Sequence, residues 1–148
     1  MSEKILALDI ATKCWWAIEW ASWTWDLKVR SWESNGMKLV RLRAKVREVI
    51  MSEWIHIVYY ERPAGLFKSA IIHEAELIWA VKSLLEELWV NYSALSPTEI
   101  KKHATGKWTA KKSLMIEKAI EKFHKEWIDD NEADALWIYD LAKELYHK

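Results

Sequence analysis

Four acidic side chains stand where an acid is costly. Asp9 interrupts the apolar run Ile5-Leu6-Ala7-Leu8-Ile10 near its end, and Glu61 closes a second run, Ile55-His56-Ile57-Val58-Tyr59-Tyr60. Near-continuous apolar runs of this length suit central strands covered on both faces. An ionised carboxylate buried there costs several kcal/mol unless it is protonated, hydrogen-bonded or metal-bound. The plainer alternative is an acid that caps a strand end and is solvated. A third acidic position lies in Asp129-Asp130-Asn131-Glu132-Ala133-Asp134, which has four acids in six residues ahead of Leu136, Ile138, Leu141, Ala142 and Leu145. Acids opening a helix are favoured by its dipole, which accounts for the cluster without any site. Asp130 and Asp134, however, are four apart and share one helix face.

A basic segment complements these acids. From Pro97 to Lys125 there are eight lysines against three glutamates, in a chain whose formal net charge is zero. Lys101, Lys107, Lys111 and Lys112 lie around Thr105-Gly106, where a loop and the start of a helix offer backbone N–H groups to phosphate. Lys118, Lys122 and Lys125 fit the solvated face of an amphipathic helix. The arginine- and lysine-rich face of an earlier helix, at Lys38, Arg41, Arg43, Lys45 and Arg47, reads first as a solvated face, with contact to nucleic acid as the alternative. His73 has no second His four residues on and reads as an ordinary surface residue.

The elements that must position these residues follow from periodicity. A strand over 4–10 leads into a hairpin with strands near 15–22 and 25–32, its turn falling near Ser22 to Trp25. Asn35-Gly36 breaks the chain before a helix over 37–53, with Leu39, Leu42, Val46, Val49 and Ile50 on its core face. A strand ends at Glu61, because Pro63 cannot join a ladder and biases Arg62 away from helix. A long helix over 68–88 buries Ala70, Ile71, Ala75, Ile78, Val81, Leu84, Leu85 and Leu88. A short strand over 90–95 precedes Ser96-Pro97-Thr98-Glu99, a helix start with Pro at its first position. The last helix spans about 130–146.

At 148 residues with 51% hydrophobic content, the chain suits one domain, 1–148, with a proper core. No apolar run is long enough for a membrane span and no basic-then-apolar leader opens it, so a soluble, cytoplasmic protein is expected. The single cysteine, Cys14, excludes an intramolecular disulfide and a cysteine zinc cluster. Twelve Trp accompany only three Gly and two Pro. Trp54 and Trp89 stand where helices give way to strands, the position Gly usually fills because it tolerates φ > 0. Trp108 follows Thr105-Gly106-Lys107 in a loop. Two readings fit: a UGA codon that the source reads as Gly and the translation renders as Trp, or an ordinary core that is rich in Trp.

Asp9 on the first strand, Glu61 ending the fourth and Asp-Ala-Leu at 134–136 in the last helix resemble the RuvC-like Holliday junction resolvases of the RNase H-like superfamily. So does the segment Ser96-Pro97-Thr98-Glu99-Ile100-Lys101-Lys102 with its following Gly106-Lys107-Trp108-Thr109-Ala110-Lys111-Lys112, where Trp108 replaces a second Gly. Trp15 and Trp79 likewise stand where the family usually has Gly. The resemblance covers nearly the whole chain. It implies an α/β RNase H-like fold: a five-stranded mixed sheet, with strands 1–3 antiparallel and the later strands parallel, flanked by helices.

The resemblance also implies chemistry. Hard carboxylate oxygens converging at strand ends suit Mg²⁺ or Mn²⁺, and two such ions can activate water and stabilise the leaving oxygen in phosphodiester hydrolysis. Asp9 would bridge both ions, Glu61 and Asp134 would hold one each, and Asp130 would complete the shell or orient the water. Many relatives place the fourth ligand three residues before Asp134, where this chain has Asn131; the role is assigned to Asp130. Lys101, Lys107, Lys111 and Lys112 would neutralise phosphates. The implied substrate is a four-way DNA junction, whose two-fold symmetry calls for a homodimer, with the long helix from Lys68 as the dimer face. Neither a nucleotide cofactor nor a membrane is expected. The alternatives are an RNase H-like nuclease acting on structured RNA and an inactive junction-binding protein.

Overall fold

A computed structural model describes residues 4–63 and 68–147. The chain runs β1 (Ile5–Asp9), β2 (Lys13–Ala17), β3 (Ser22–Asp26), α1 (Gly36–Glu53), β4 (Ile57–Glu61), α2 (Lys68–Glu87), β5 (Asn91–Leu95), α3 (Pro97–Thr105), α4 (Lys112–Phe123) and α5 (Asp130–Tyr146). The five strands form one sheet ordered β3-β2-β1-β4-β5. β1 and β2, and β2 and β3, pair antiparallel. β4 lies parallel to β1 and β5 parallel to β4, as the expected mixed sheet requires.

Strand alternation divides the core between the two faces of the sheet. Leu6, Leu8, Val58 and Tyr60 pack with Leu42, Val46 and Ile50 of α1 and with Leu77, Val81, Leu84 and Leu85 of α2. Ile5, Ala7 and Tyr59 point the other way, against Ala133, Trp137, Ile138 and Leu141 of α5 and Ile100, Met115 and Ala119 of α3 and α4. Since Ile5 and Ala7 face α5, so does Asp9; since Tyr59 faces α5, so does Glu61. The parallel register pairs Leu8 with Tyr60, so Asp9 and Glu61 are the next residues along adjacent strands. Chain pairing alone therefore sets the two acids side by side under α5.

Two expectations are corrected. The hairpin turns at Ile18–Ala21, where the Ile18 N–H donates to the Ala21 carbonyl at 2.8 Å, and Ser22 to Trp25 lie within β3. Both hairpin strands are consequently shorter than read, and Leu27 to Trp32 leave the sheet. On α2, Ile71 and Ala75 are exposed, and Leu77 and Ala80 take their places in the core. The side chain of Ala70 lies outside the described residues. A helix with apolar residues on most of its circumference leaves the choice of buried stripe to the sheet it meets.

Side-chain caps open α3 and α5. Ser96 Oγ accepts from the Glu99 N–H at 3.2 Å, with Pro97 at the first helical position. Asp129 accepts from the Glu132 N–H at 2.7 Å and opens α5. The last helix thus begins where the acidic cluster was read to begin it. Among the described residues no helix is long and apolar enough to cross a membrane.

Candidate metal centre

Asp9, Glu61 and Asp134 converge. One carboxylate oxygen from each lies within 4.8 Å of the others, and all three side chains are half-buried. β1 and β4 bring the first two, and α5 lays Asp134 over them one turn after its start. Ala133 and Ala135 are fully buried on either side of it, so small side chains let the helix backbone approach the sheet.

Three acids this close repel one another's charge, and burial adds to the cost. Burial, and then the charges of Asp134, Glu61, Glu74 and Asp130, hold the Asp9 carboxyl well above the usual carboxylate range. Burial chiefly, with the charge of Asp134, pushes Glu61 to about 7, against the opposing pull of Lys101 and Lys112. Asp134 is pushed to about 6 by burial and by Asp130, with the same two lysines opposing. A cluster held together against its own charge fits a hard divalent cation, which takes carboxylate oxygens as ligands and cancels the repulsion. The donor set, three oxygens and no sulfur or imidazole, fits Mg²⁺ or Mn²⁺ better than softer metals.

The other assigned residues fall around this group. Asp130 lies outside the close group, and Lys112 Nζ stands 3.3 Å from its Oδ2. Asp129 is occupied by its capping bond, and Asn131 is half-buried in the first turn. Lys101, Lys111 and Lys112 line a groove of about 430 Å³ together with Glu61, Asp134, Ile100 and Met115. Lys107 is exposed on the loop between α3 and α4, away from that lining.

The loop itself departs from expectation. Gly106 adopts φ 82° and donates its N–H to the Lys102 carbonyl at 2.8 Å, while the Lys107 N–H donates to Thr105 Oγ1 at 3.1 Å. Both amides are used inside the turn and are not offered to a phosphate. The remaining lysines of this region divide by role. Lys122 Nζ lies 2.7 Å from Asp140 Oδ2, and Lys125 Nζ lies 2.7 Å from Glu132 Oε1, so Lys122 braces α4, and Lys125 the segment after it, against α5 where solvated side chains were expected. His103 adds Nε2 at 2.7 Å from the same Asp140 oxygen and Nδ1 at 3.1 Å from Glu144.

Glu74 is the acid that the sequence reading missed. It lines a cavity of about 270 Å³ with Asp9, Ile10, Glu61, Arg62, Pro63 and Ile78. Its neighbour His73 is half-buried, and His73 Nε2 shares a 3.0 Å hydrogen bond with Thr12 Oγ1 just beyond β1.

The sequence matches no protein-family model and no curated protein. Solved structures do match. Thermus thermophilus RuvC superposes with a TM-score of 0.79 at 18% identity, over 97% of this chain and 96% of that one. T. thermophilus RuvC in complex with a Holliday junction substrate gives 0.77 at 19% identity, over 93% and 91%. The yeast mitochondrial Holliday junction resolvase Ydc2 gives 0.62 at 13% identity, over 97% and 83%. With its sheet order, its flanking helices and this coverage, the chain has the fold of the RuvC-like resolvases.

Proposed function

We propose that this protein is a divalent-metal-dependent endonuclease that resolves four-way DNA junctions as a homodimer. The observation that carries the reading is the convergence of Asp9, Glu61 and Asp134 beside a lysine-lined groove that shares Glu61 and Asp134 with them. The fold supports it, because one solved structure of similar architecture is of a RuvC bound to a Holliday junction substrate.

Asp9, Glu61 and Asp134 would hold the cations, probed as Mg²⁺ or Mn²⁺. Bound there, a pair of divalent ions supplies a water of lowered pKa and neutralises charge on the scissile phosphate. The chain's own residues do the rest. Lys101, Lys111 and Lys112 place positive charge along the groove that ends at the acids, so a phosphate backbone lying in it is drawn toward the centre. Lys107 extends that charge along the neighbouring loop. Lys112, exposed and only loosely paired, exchanges Asp130 for a phosphate when DNA binds, which leaves Asp130 to complete the acidic shell. Ile72 and Ala75 form an exposed apolar stripe with position 79 on α2, suited to packing against a second copy and so to cutting two opposed strands.

The test is cleavage of a synthetic four-way DNA junction with Mg²⁺, run beside an RNA hairpin and with Asp9→Asn as control. Junction cleavage that the substitution abolishes is the expected result. Preferential cutting of the hairpin would reassign the substrate to structured RNA. Junction binding without cleavage would leave a binding protein.

A further inference from the structure

Building on the metal centre proposed above, we propose that Glu74 of α2 holds the divalent cation on the α2 side of that centre, as a ligand or through one of its waters. Glu74 is half-buried and faces the cavity it shares with Asp9 and Glu61. Among the described residues it has no hydrogen bond and no ion pair, although its charge acts on both of those acids. Among the described residues the one cationic residue lining the cavity is Arg62, which is exposed. A partly buried carboxylate turned toward two others, with no ion pair among the described residues, is held against repulsion by the packing around it.

That packing is specific. Leu77 and Ile78, on the next turn, are buried in the core, and the bond between His73 and Thr12 ties α2 to the segment after β1. Glu74 stands outside the group of oxygens that lie within 4.8 Å of one another. That distance suits a carboxylate serving a second ion or its water shell better than one shared by all ions. Among the described residues Glu74 is also the one acid of this neighbourhood that comes from the α1–α2 face of the sheet, since Asp9, Glu61 and Asp134 all belong to the α5 face.

The experiment is Mn²⁺ binding to the metal-free full chain without DNA, followed by the electron paramagnetic resonance of free Mn²⁺, for the unmutated protein, Glu74→Gln and Asp9→Asn. Glu74→Gln removes a like charge and no bond among the described residues, so it should fold. The expected result is retention of one tight site in Glu74→Gln, with the second weakened at least about tenfold, and loss of both in Asp9→Asn. Two unchanged sites in Glu74→Gln, with both lost in Asp9→Asn, would overturn the role of Glu74 alone. Undiminished binding by Asp9→Asn would overturn the metal centre itself and this inference with it.

From a separate observation, we infer that positions 54 and 89 are glycine in the native protein. Among the described residues three non-glycine residues adopt positive φ: Trp54 at 55°, Trp89 at 58° and His124 at 54°. His is among the residues that tolerate this region, whereas a bulky aromatic there is an outlier. The two Trp side chains gain little in return, being 78% and 94% exposed. Trp20, Trp23, Trp32, Trp79, Trp108 and Trp127 are also more than 60% exposed, and the buried Nε1 of Trp15 has no partner among the described residues. Trp137 shows the opposite case, 3% exposed with its Nε1–H donated to the Met115 carbonyl at 3.0 Å.

Peptide mapping of the protein isolated from the organism that encodes it should find Gly at 54 and 89; Trp at both would overturn the inference. In recombinant protein the double substitution W54G/W89G should raise the thermal midpoint by relieving both backbones. No rise would contradict the strain on which the inference stands.

Discussion

Glu61 separates two cavities of opposite character. On the α2 side, Asp9, Glu61 and Glu74 face one another with, among the described residues, only the exposed Arg62 to balance them. On the α3–α4 side, Lys101, Lys111 and Lys112 line a groove whose acids are Glu61 and Asp134. The first gathers negative charge that a bound cation would neutralise, and the second gathers lysines that an anion can meet. A phosphodiester bound to metal through one oxygen and to lysine through another would satisfy both at once, and it would do so at Glu61.

The contrast is most severely tested by removing the acids. Asp9→Asn should lower Mg²⁺-dependent junction cleavage by at least about 100-fold while leaving junction binding nearly intact, as read by a cleavage time course and a gel shift. Loss of binding without a specific loss of turnover would dissolve the distinction between the two sides.

Acidity offers a second test without DNA. The raised carboxyl values favour the folded chain while the acids are protonated. The contribution of these acids to the stability of the metal-free protein is therefore fullest below the ordinary carboxylate range and is lost as pH climbs through about 6 and about 7, the values of Asp134 and Glu61. Saturating Mg²⁺ should reverse the loss, because the ion binds the deprotonated acids, and thermal melts at pH 5 and pH 8 with and without Mg²⁺ would show it. A metal-free protein more stable at pH 8 than at pH 5 would contradict the electrostatics of the centre.

Lysines that brace the fold should separate from lysines that meet DNA. Asp140→Ala removes the carboxylate shared by Lys122 and His103 and should cost about 2 kcal/mol in denaturant unfolding. Lys101→Ala and Lys112→Ala should each leave stability within about 0.5 kcal/mol. Each should also reduce the slope of log binding constant against log salt by about one. Lys118→Ala, whose side chain is 3.8 Å from Glu121 on the same helix face, should change neither quantity measurably.

Much of this arrangement was legible in the sequence. Apolar runs ending in Asp9 and Glu61 located β1 and β4, and the acid cluster at 129–134 located the start of α5, because burial and capping leave period and charge signals that survive without a structure. The hairpin turn did not, since Ile18 to Ala21 contain no Gly, Asn or Pro to mark it. Glu74 was hidden for another reason: it shares α2 with Glu76, and only the angle at which α2 crosses the strand ends decides which of them faces Asp9. Lys122 and Lys125 were misread because a lysine on an amphipathic helix looks solvated until the acids of the neighbouring helix are placed beside it.

The central claim is that Asp9, Glu61 and Asp134 form a seat for divalent cations. Anomalous diffraction from crystals soaked in Mn²⁺ tests it most directly. The account predicts anomalous density within ligand distance of oxygens from all three side chains. Well-occupied Mn²⁺ elsewhere in the crystal, with none among these oxygens, would contradict it.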